Sequence, residues 1–467
     1  MQTAKPSLAI LLACSFAFII VQLDVTIVNV ALPQIGAELG ARISDLQWVV
    51  DAYTLGFAVF LLSAGVLGDK FGSRRVFMAG FALFTIASLA CAIAPGAMVL
   101  NVARAVQGIG AAALVPSSLA ILNRAYAHDK KLLAKAISLW TAAGGLSIAA
   151  GPVLGGLLLS AFGWRSIFWV NVPICIAGFW LTSRVVPALR GKDPQRSFDL
   201  PGQLLAVVTL TALIGAVIEV GALGIGDWRV QCALAVSVCA GALFLVVEQR
   251  GAAPMMPLGL FRQAAFSAAV LYGVMVNFAY YGVIFVLSFY LQKLRGFTVL
   301  HAGLIFLPLT ATFIVSNIIS GMTMARVGVR IPMIVGGAIG AAGYALLGLF
   351  GVSDDASFLA MLPGLALIPA GMGLGVPAMT TSILSAVPQQ QAGTASAVLN
   401  TARQVGGAIG VAVFGALVAS GSAEHMFGGI HMAMQVSTLL LLGAGLLAYL
   451  YVARPAALAR AAAPGAR

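Results

Sequence analysis

Few side chains in this sequence carry charge, and several of them fall inside long uncharged runs. Asp24 stands in "VQLDVTIVNVALP", within a run that starts near Leu8 and reaches Leu32. Arg104 and Gln107, in "RAVQG", are one turn apart and would share a face of any helix formed there. Asp51 lies about one turn into another such run. A charge at membrane depth costs from about 2.5 kcal/mol upward on insertion scales. An acid kept there can bind and release a proton: apolar surroundings favour its neutral form, and a nearby guanidinium favours the anion. Arg104 either snorkels to the outer headgroups or turns inward to an acid. Asp24 is its natural partner, because it lies about 9 Å of helix rise from the outer end of its own run. Asp51 reads either as a solvated interfacial acid or as a second proton site. Glu219 ends its run near the outside and is a weaker candidate.

The elements that must hold these groups are long apolar segments. Of 467 residues, 61% are hydrophobic and 9% charged, where a soluble chain would carry about a quarter charged. The apolar runs approach the ~20 residues a helix needs to cross a bilayer. They are continuous, which excludes the alternating pattern of a membrane barrel. The chain is therefore expected to be an all-α polytopic protein of the cell (inner, cytoplasmic) membrane. The net charge of +12 does not point to nucleic acid, because the basic residues fall in short clusters between runs. The first run is too long for a cleavable signal and has one lysine before it. Cys14, Cys91, Cys175, Cys232 and Cys239 lie within apolar runs and read as small packing residues, with no metal or disulfide spacing. His128, His301, His425 and His431 read as solvated residues of loops and span ends.

Fourteen spans follow, at roughly 8–30, 46–67, 77–94, 98–122, 134–160, 165–187, 200–220, 230–248, 265–291, 302–324, 331–350, 357–385, 393–419 and 433–453. With the N-terminus inside, nineteen of the 26 lysines and arginines fall in inside loops and tails and five outside. That is the positive-inside bias of fourteen spans with both termini cytoplasmic. The basic loop 188–198 and the amphipathic "APMMPLGLFR" bracket spans 7 and 8, leaving six spans on either side. The expected organisation is a six-helix half over 1–187, a linker and two-span hairpin over 188–263, a second half over 264–453 and a cytoplasmic tail over 454–467. An internal repeat supports it: "AGVLGDKFGSRR" after span 2 and "SGMTMARVGVR" after span 10 align Gly65 with Gly321, Gly72 with Gly328 and Arg74 with Arg330. Asp69 meets Ala325 in that register. Two parallel halves with a site between them at mid-depth is transporter architecture.

Three motifs stand in this frame. In "GVLGDKFGSRR", Gly65 and Gly72 permit a tight turn, while Asp69 beside Arg74 and Arg75 makes a charge cluster. By its residues it reads as a positive-inside topogenic loop. In "GGLSIAAGPVLGG", Gly145, Gly151, Gly155 and Gly156 suit close helix packing, and Pro152 bends the helix. Span 13 carries a similar glycine face, with Arg403 just N-terminal to it.

Together with "LDVTIVNVALP", "RAVQGIGAA" and "LNTARQVGGAIGVAVFGAL", these motifs appear in order along nearly the whole chain. The set resembles the major facilitator superfamily, and within it the fourteen-span drug/H⁺ antiporters of the EmrB/QacA type, including methylenomycin-resistance exporters. The resemblance implies a major facilitator fold and proton transfer at the span-4 arginine. It implies a cytoplasmic gate in Gly65, Asp69, Gly72, Arg74 and Arg75, and an antiporter hinge in the Pro152 motif. No phosphate-binding loop or clustered catalytic set occurs, which argues against an ATP-driven pump and an enzyme. The expected activity is proton-coupled export of hydrophobic or amphipathic organic compounds, with a single-compound exporter and an uptake symporter as alternatives. Gln22, Asn29, Gln107, Asn277, Tyr281, Phe313 and Asn317 are candidate substrate contacts, each also readable as helix packing. No metal and no cofactor beyond the coupling proton is expected; the expected partners are a small organic molecule, protons and the bilayer, for a monomeric chain.

Overall fold

The structure is a computed structural model that describes residues 8–127, 129–187, 199–251, 254–353, 355–387, 391–419 and 422–452. Lys5, His128, the basic loop 188–198, Ala253 and the tail 454–467 lie outside the described residues. Helices run in the order α1 (Leu8–Leu39), α2 (Ile43–Phe71), α3 (Ser73–Ala92), α4 (Ala97–Ala125), α5 (Lys130–Phe162) and α6 (Ser166–Val185). They continue with α7 (Leu200–Leu223), α8 (Trp228–Arg250), α9 (Ala264–Leu294) and α10, which comes in two pieces, Val299–Ile305 and Leu307–Val327. The last four are α11 (Arg330–Gly351), α12 (Phe358–Ser385), α13 (Ala392–Leu417) and α14 (Ala423–Tyr451). Among the described residues, 13 helices are long and apolar enough to cross a membrane, and α5 counted as one bent span makes 14.

Proline chemistry sets the breaks. The two arms of α5, Lys135–Ile148 and Ala150–Phe162, meet at 43°. Pro152 has no N–H to offer the Ile148 carbonyl one turn back, so the helix opens there. Pro308 does the same to Leu304, just before the break in α10, and Pro173 to Trp169, just before the break in α6. Helices also run beyond the apolar runs that announce them. α1 continues through Pro33 to Leu39, because Gln34 and Glu38 end the apolar stretch without ending the helix, which stops only at Gly40 with φ +59°.

The described residues form two compact units. The first draws on Met1–Met255, Ile284–Leu307 and Val411–Ala419. Its core packs Tyr53, Phe57, Phe77, Phe81 and Phe84 around Cys14 and Cys175, with Phe18 stacked on Trp140 at 3.9 Å. In it α2 and α4 touch backbone to backbone: a Cβ on Gly108 would stand 2.1 Å from the Tyr53 carbonyl oxygen. The glutamine amides of Gln47 and Gln292 reach neighbouring backbones, Gln47 Nε2 donating to Ala412 at 2.8 Å and Gln292 Nε2 to Val30 at 3.0 Å. The hairpin α7–α8 is tied to α2 by Gln203, which donates to the Val59 carbonyl at 3.2 Å and accepts from the Ser63 hydroxyl. Most of α8 is otherwise exposed, so Cys232 and Cys239 face outward, whereas Cys14, Cys91 and Cys175 are buried. The expectation that all five cysteines pack inside is corrected for these two.

The second unit draws on Met256–Val283, Pro308–Gly410 and Ser420–Arg467. Glycines again bring helices together, with Gly336 of α11 against the Gly371 carbonyl of α12. Tyr272 of α9 donates its hydroxyl to the Met333 carbonyl at 3.0 Å. The repeat read from the sequence has a physical counterpart in each unit. Gly72 and Gly328 both adopt positive φ, +96° and +74°, as the turn after α2 and after α10 demands. Arg74 then donates to the Ser183 carbonyl near the end of α6 at 2.8 Å, and Arg330 to the Tyr449 carbonyl near the end of α14.

Candidate functional site

Asp24 and Arg104 meet inside the first unit. The Arg104 Nη1 donates to Asp24 Oδ2, with side-chain exposures of 1% and 0%. The close α2–α4 contact is what brings Arg104 beneath α2: its Nε donates to the Val49 carbonyl at 2.9 Å, and its guanidinium lies 4.3 Å from the Tyr53 ring centroid. Phe168 of α6 closes the other side at 5.8 Å. The snorkelling alternative for Arg104 is thereby removed, since the side chain turns into the helix bundle.

The second carboxylate oxygen is equally well held. Gln107 Nε2 donates to Asp24 Oδ1 at 3.0 Å, and Asn171 Nδ2 of α6 donates to the same atom at 2.9 Å. Gln107 Oε1 in turn accepts from Arg104 Nη1 at 2.6 Å, and Ser88 of α3 accepts from Gln107 at 2.9 Å. Residues of five helices thus join one network around this carboxylate, in which α4 and α6 supply its donors, one cation and two amides. An ion pair so saturated by hydrogen bonds recovers the solvation it loses on burial. Removing one proton-accepting or donating group from such a set disturbs all of it. Sequence reasoning found Asp24, Arg104 and Gln107 and missed Asn171, Ser88 and Val49. Asn171 had a signal, as a polar residue in the apolar "FWVNVP"; a serine and a backbone carbonyl have none.

Asp51 is not part of this constellation. It is fully buried on α2, one turn inward of Gln47, and neither carboxylate oxygen has a hydrogen-bond partner among the described residues. The solvated interfacial alternative is therefore removed. Other candidate contacts bond to their own helices. Asn29 donates to Val25 at 2.8 Å and Asn277 to Gly273 at 2.7 Å. Gln22 is half-buried. Phe313 and Asn317 lie where the α10 backbone meets Gly373, whose added Cβ would be 2.8 Å from the Phe313 oxygen. Tyr281 packs edge-on to Tyr280 at 5.4 Å.

In the Pro152 motif, Gly151, Gly155 and Gly156 are contact points. A Cβ on Gly151 would overlap the Thr26 hydroxyl, and one on Gly156 would stand 3.1 Å from Leu300. Gly145 and Gly65 meet nothing within 4 Å. The Pro152 carbonyl faces Gly303 so closely that a Cβ there would lie at 2.4 Å. Asp69 is half-buried and Arg75 exposed at the α2–α3 turn.

Comparison with known proteins decides the family. A family model described as Major Facilitator Superfamily matches residues 14–411. The chain belongs to the major facilitator superfamily. It is thus a multi-pass cell-membrane transporter of small molecules, not an enzyme. This facilitator is 38% identical to the multidrug resistance protein Stp of Mycobacterium tuberculosis, over 89% of this chain and 76% of that one. It is 37% identical to the methylenomycin A resistance protein of Streptomyces coelicolor, over 96% and 93%. The fold matches a crystal structure of the peptide transporter POT in complex with sulfate, at a TM-score of 0.71 and 15% identity, covering 97% and 98%.

Proposed function

We propose that this facilitator is a proton-coupled exporter of hydrophobic or amphipathic organic compounds, working by alternating access as a single chain. The observation that carries the reading is the buried Asp24–Arg104 pair held by Gln107 and Asn171. A membrane transporter gives resistance by moving a compound out of the cell, and both relatives described above are named for resistance. Asp24 is the exchangeable acid. A proton on its carboxylate cancels the charge that Arg104 faces, weakens the pair and frees a donor in the set. Biased in this way, the carrier turns inward-facing, and release of the proton inside resets it. Asp51 is a second acid, since an unpaired carboxylate in a dry site is far cheaper to bury neutral than charged. Gly65, Asp69, Gly72, Arg74 and Arg75 act as the cytoplasmic gate, and the Pro152 bend as the hinge and seal of antiport.

The test is export driven by a pH gradient in proteoliposomes containing the whole chain. Asp24→Asn is expected to abolish coupling, and undiminished coupled export by that variant would sink the assignment. A narrower exporter of one antibiotic is the second reading, favoured by the relative named for methylenomycin A alone. Resistance profiles of a strain overproducing this chain, against chemically diverse compounds, separate the two.

A further inference from the structure

A second arginine within a span, half-buried Arg403, has no acid beside it among the described residues. Arg403 is the twelfth of 26 residues in α13, about 17 Å along the helix from its start. Its Nε is buried and has no hydrogen-bond partner among the described residues. No carboxylate of the described residues pairs with it either; the ion pairs there engage Arg42, Arg104, Arg165 and Arg229. One turn further along α13, Gly407 meets the ring of Tyr281 of α9.

The packing that holds it there is specific to this helix pair. Gly406 and Gly410 press α13 onto α9, with added Cβ atoms falling 2.5 Å from the Val274 oxygen and 2.1 Å from the Phe278 oxygen. The stem of Arg403 lies along Gly273, whose Cβ would stand 3.2 Å from its Cγ. The ring of Tyr281 lies over Gly407, and Tyr280 packs against it. The stem of an arginine and two tyrosine rings therefore stand within about one turn of each other in the second unit.

We propose that Arg403 is the recognition group for an anionic substrate, so that the preferred cargo is an amphipathic aromatic or alicyclic carboxylate or sulfonate. The inference rests on the export reading and names the chemistry of its cargo. A guanidinium remains charged in any protein and offers a planar fork of donors that matches a carboxylate. With its buried Nε unpaired and no carboxylate beside it among the described residues, it gains from an incoming anion that supplies acceptors. The same charge repels organic cations. Tyr281 adds a hydroxyl donor, and its ring with that of Tyr280 offers apolar faces to the body of the ligand. Exchange of one proton inward for one monovalent anion outward moves two charges in the same sense, so such export responds to membrane potential as well as to the pH gradient.

The experiment uses the purified whole chain in lipid nanodiscs and three probes of one shape. These are naphthalene-1-acetate, its neutral amide and (naphthalen-1-ylmethyl)trimethylammonium, with binding read by calorimetry. The carboxylate is expected to bind about tenfold or more tighter than the amide, as a charge-assisted contact implies, and the ammonium weakest. Arg403→Gln is expected to bring the carboxylate down to the amide while leaving the amide within about twofold; Arg403→Lys is expected to keep part of the preference. Equal binding of acid and amide by the native chain, preference for the ammonium, binding of none of the three, or an undiminished preference in Arg403→Gln would each overturn the proposal. The native chain alone suffices if the variant does not fold. Selective carboxylate binding without pH-driven export would defeat the export reading and leave this inference standing; export with no preference for the anion would do the reverse.

Discussion

Arg104 and Arg403 stand on glycine-rich helices of the same length class, each about one-quarter to one-half of the way along, and each is pressed against a neighbour by close backbone contact. Their surroundings are opposite. Arg104 has a carboxylate, an amide oxygen, a backbone carbonyl and an aromatic face within reach. Arg403 has the Tyr281 ring one turn along its helix, and among the described residues its buried Nε has no hydrogen-bond partner. The difference teaches that a charge inside a membrane protein is not one kind of feature. The first is an internal pair whose partners are all in the fold; the second is half of a pair whose other half must come from elsewhere or be done without.

The sharpest way to break this comparison is to strand Arg104. Asp24→Ala should cost about 3–5 kcal/mol, the usual penalty for leaving a buried ion unpaired, and be read as a large fall in detergent thermal stability. Asp24→Leu combined with Arg104→Met should lose much less than the sum of the single changes, because the double variant strands nothing. If the two losses simply add, the pair is not coupled and the contrast with Arg403 fails. Close packing is the next target. Gly108→Ala and Gly410→Ala each place a Cβ 2.1 Å from a backbone oxygen, so each should cost about 1–3 kcal/mol and lower the unfolding temperature. A neutral result for Gly410→Ala alone would mean that α13 does not lean on α9 as tightly as α4 leans on α2. Arg403→Gln should have the opposite sign to the Asp24 change: thermal stability unchanged or raised by about 1 kcal/mol, since a half-buried cation with no carboxylate partner among the described residues is removed. A loss as large as that of Asp24→Ala would show that Arg403 is already satisfied. The smallest effects are expected at the repeated turn. Arg74→Ala and Arg330→Ala each lose a hydrogen bond to a helix-end carbonyl, about 1 kcal/mol or less apiece in thermal unfolding. A marked inequality between them would weaken the equivalence of the two turns.

Much of this was legible in the sequence, for identifiable reasons. Apolar runs of membrane length are long-range signals, so the span count survived the breaks in α5, α6 and α10. Asp24 and Arg104 could be paired because charges are so rare that depth alone nearly fixes the match. The repeat was visible because glycine is the residue a positive φ requires, and Gly72 and Gly328 both have one. Other features were not legible. Asn171 and Ser88 act through side chains common in helix packing, and only the folded geometry brings Asn171 to Asp24 and Ser88 to the amides of Gln107 and Asn171. Asn29 and Asn277 looked like cavity polar groups, yet an amide one turn from a carbonyl of its own helix satisfies itself there. Cys232 and Cys239 share the apolar runs of the buried cysteines, and hydropathy does not tell a core helix from one with an open face. The bareness of Asp51 and Arg403 is a property of their neighbours, which no single-residue pattern records.

The α2 helix carries a mechanical consequence. It runs 29 residues without a proline or a break, about 43 Å at the helical rise. Near its N-terminal end Gln47 is fastened to Ala412, farther along Val49 takes the Arg104 hydrogen bond, and Ser63 holds the hairpin before the chain turns at Gly72. Such a rod cannot absorb a load locally. A tilt of roughly 5° about its N-terminal end would carry Lys70 by about 3.5 Å. Whatever pulls on the guanidinium of Arg104 is therefore geared up, as by a lever arm, before it arrives at the Gly65–Arg75 turn.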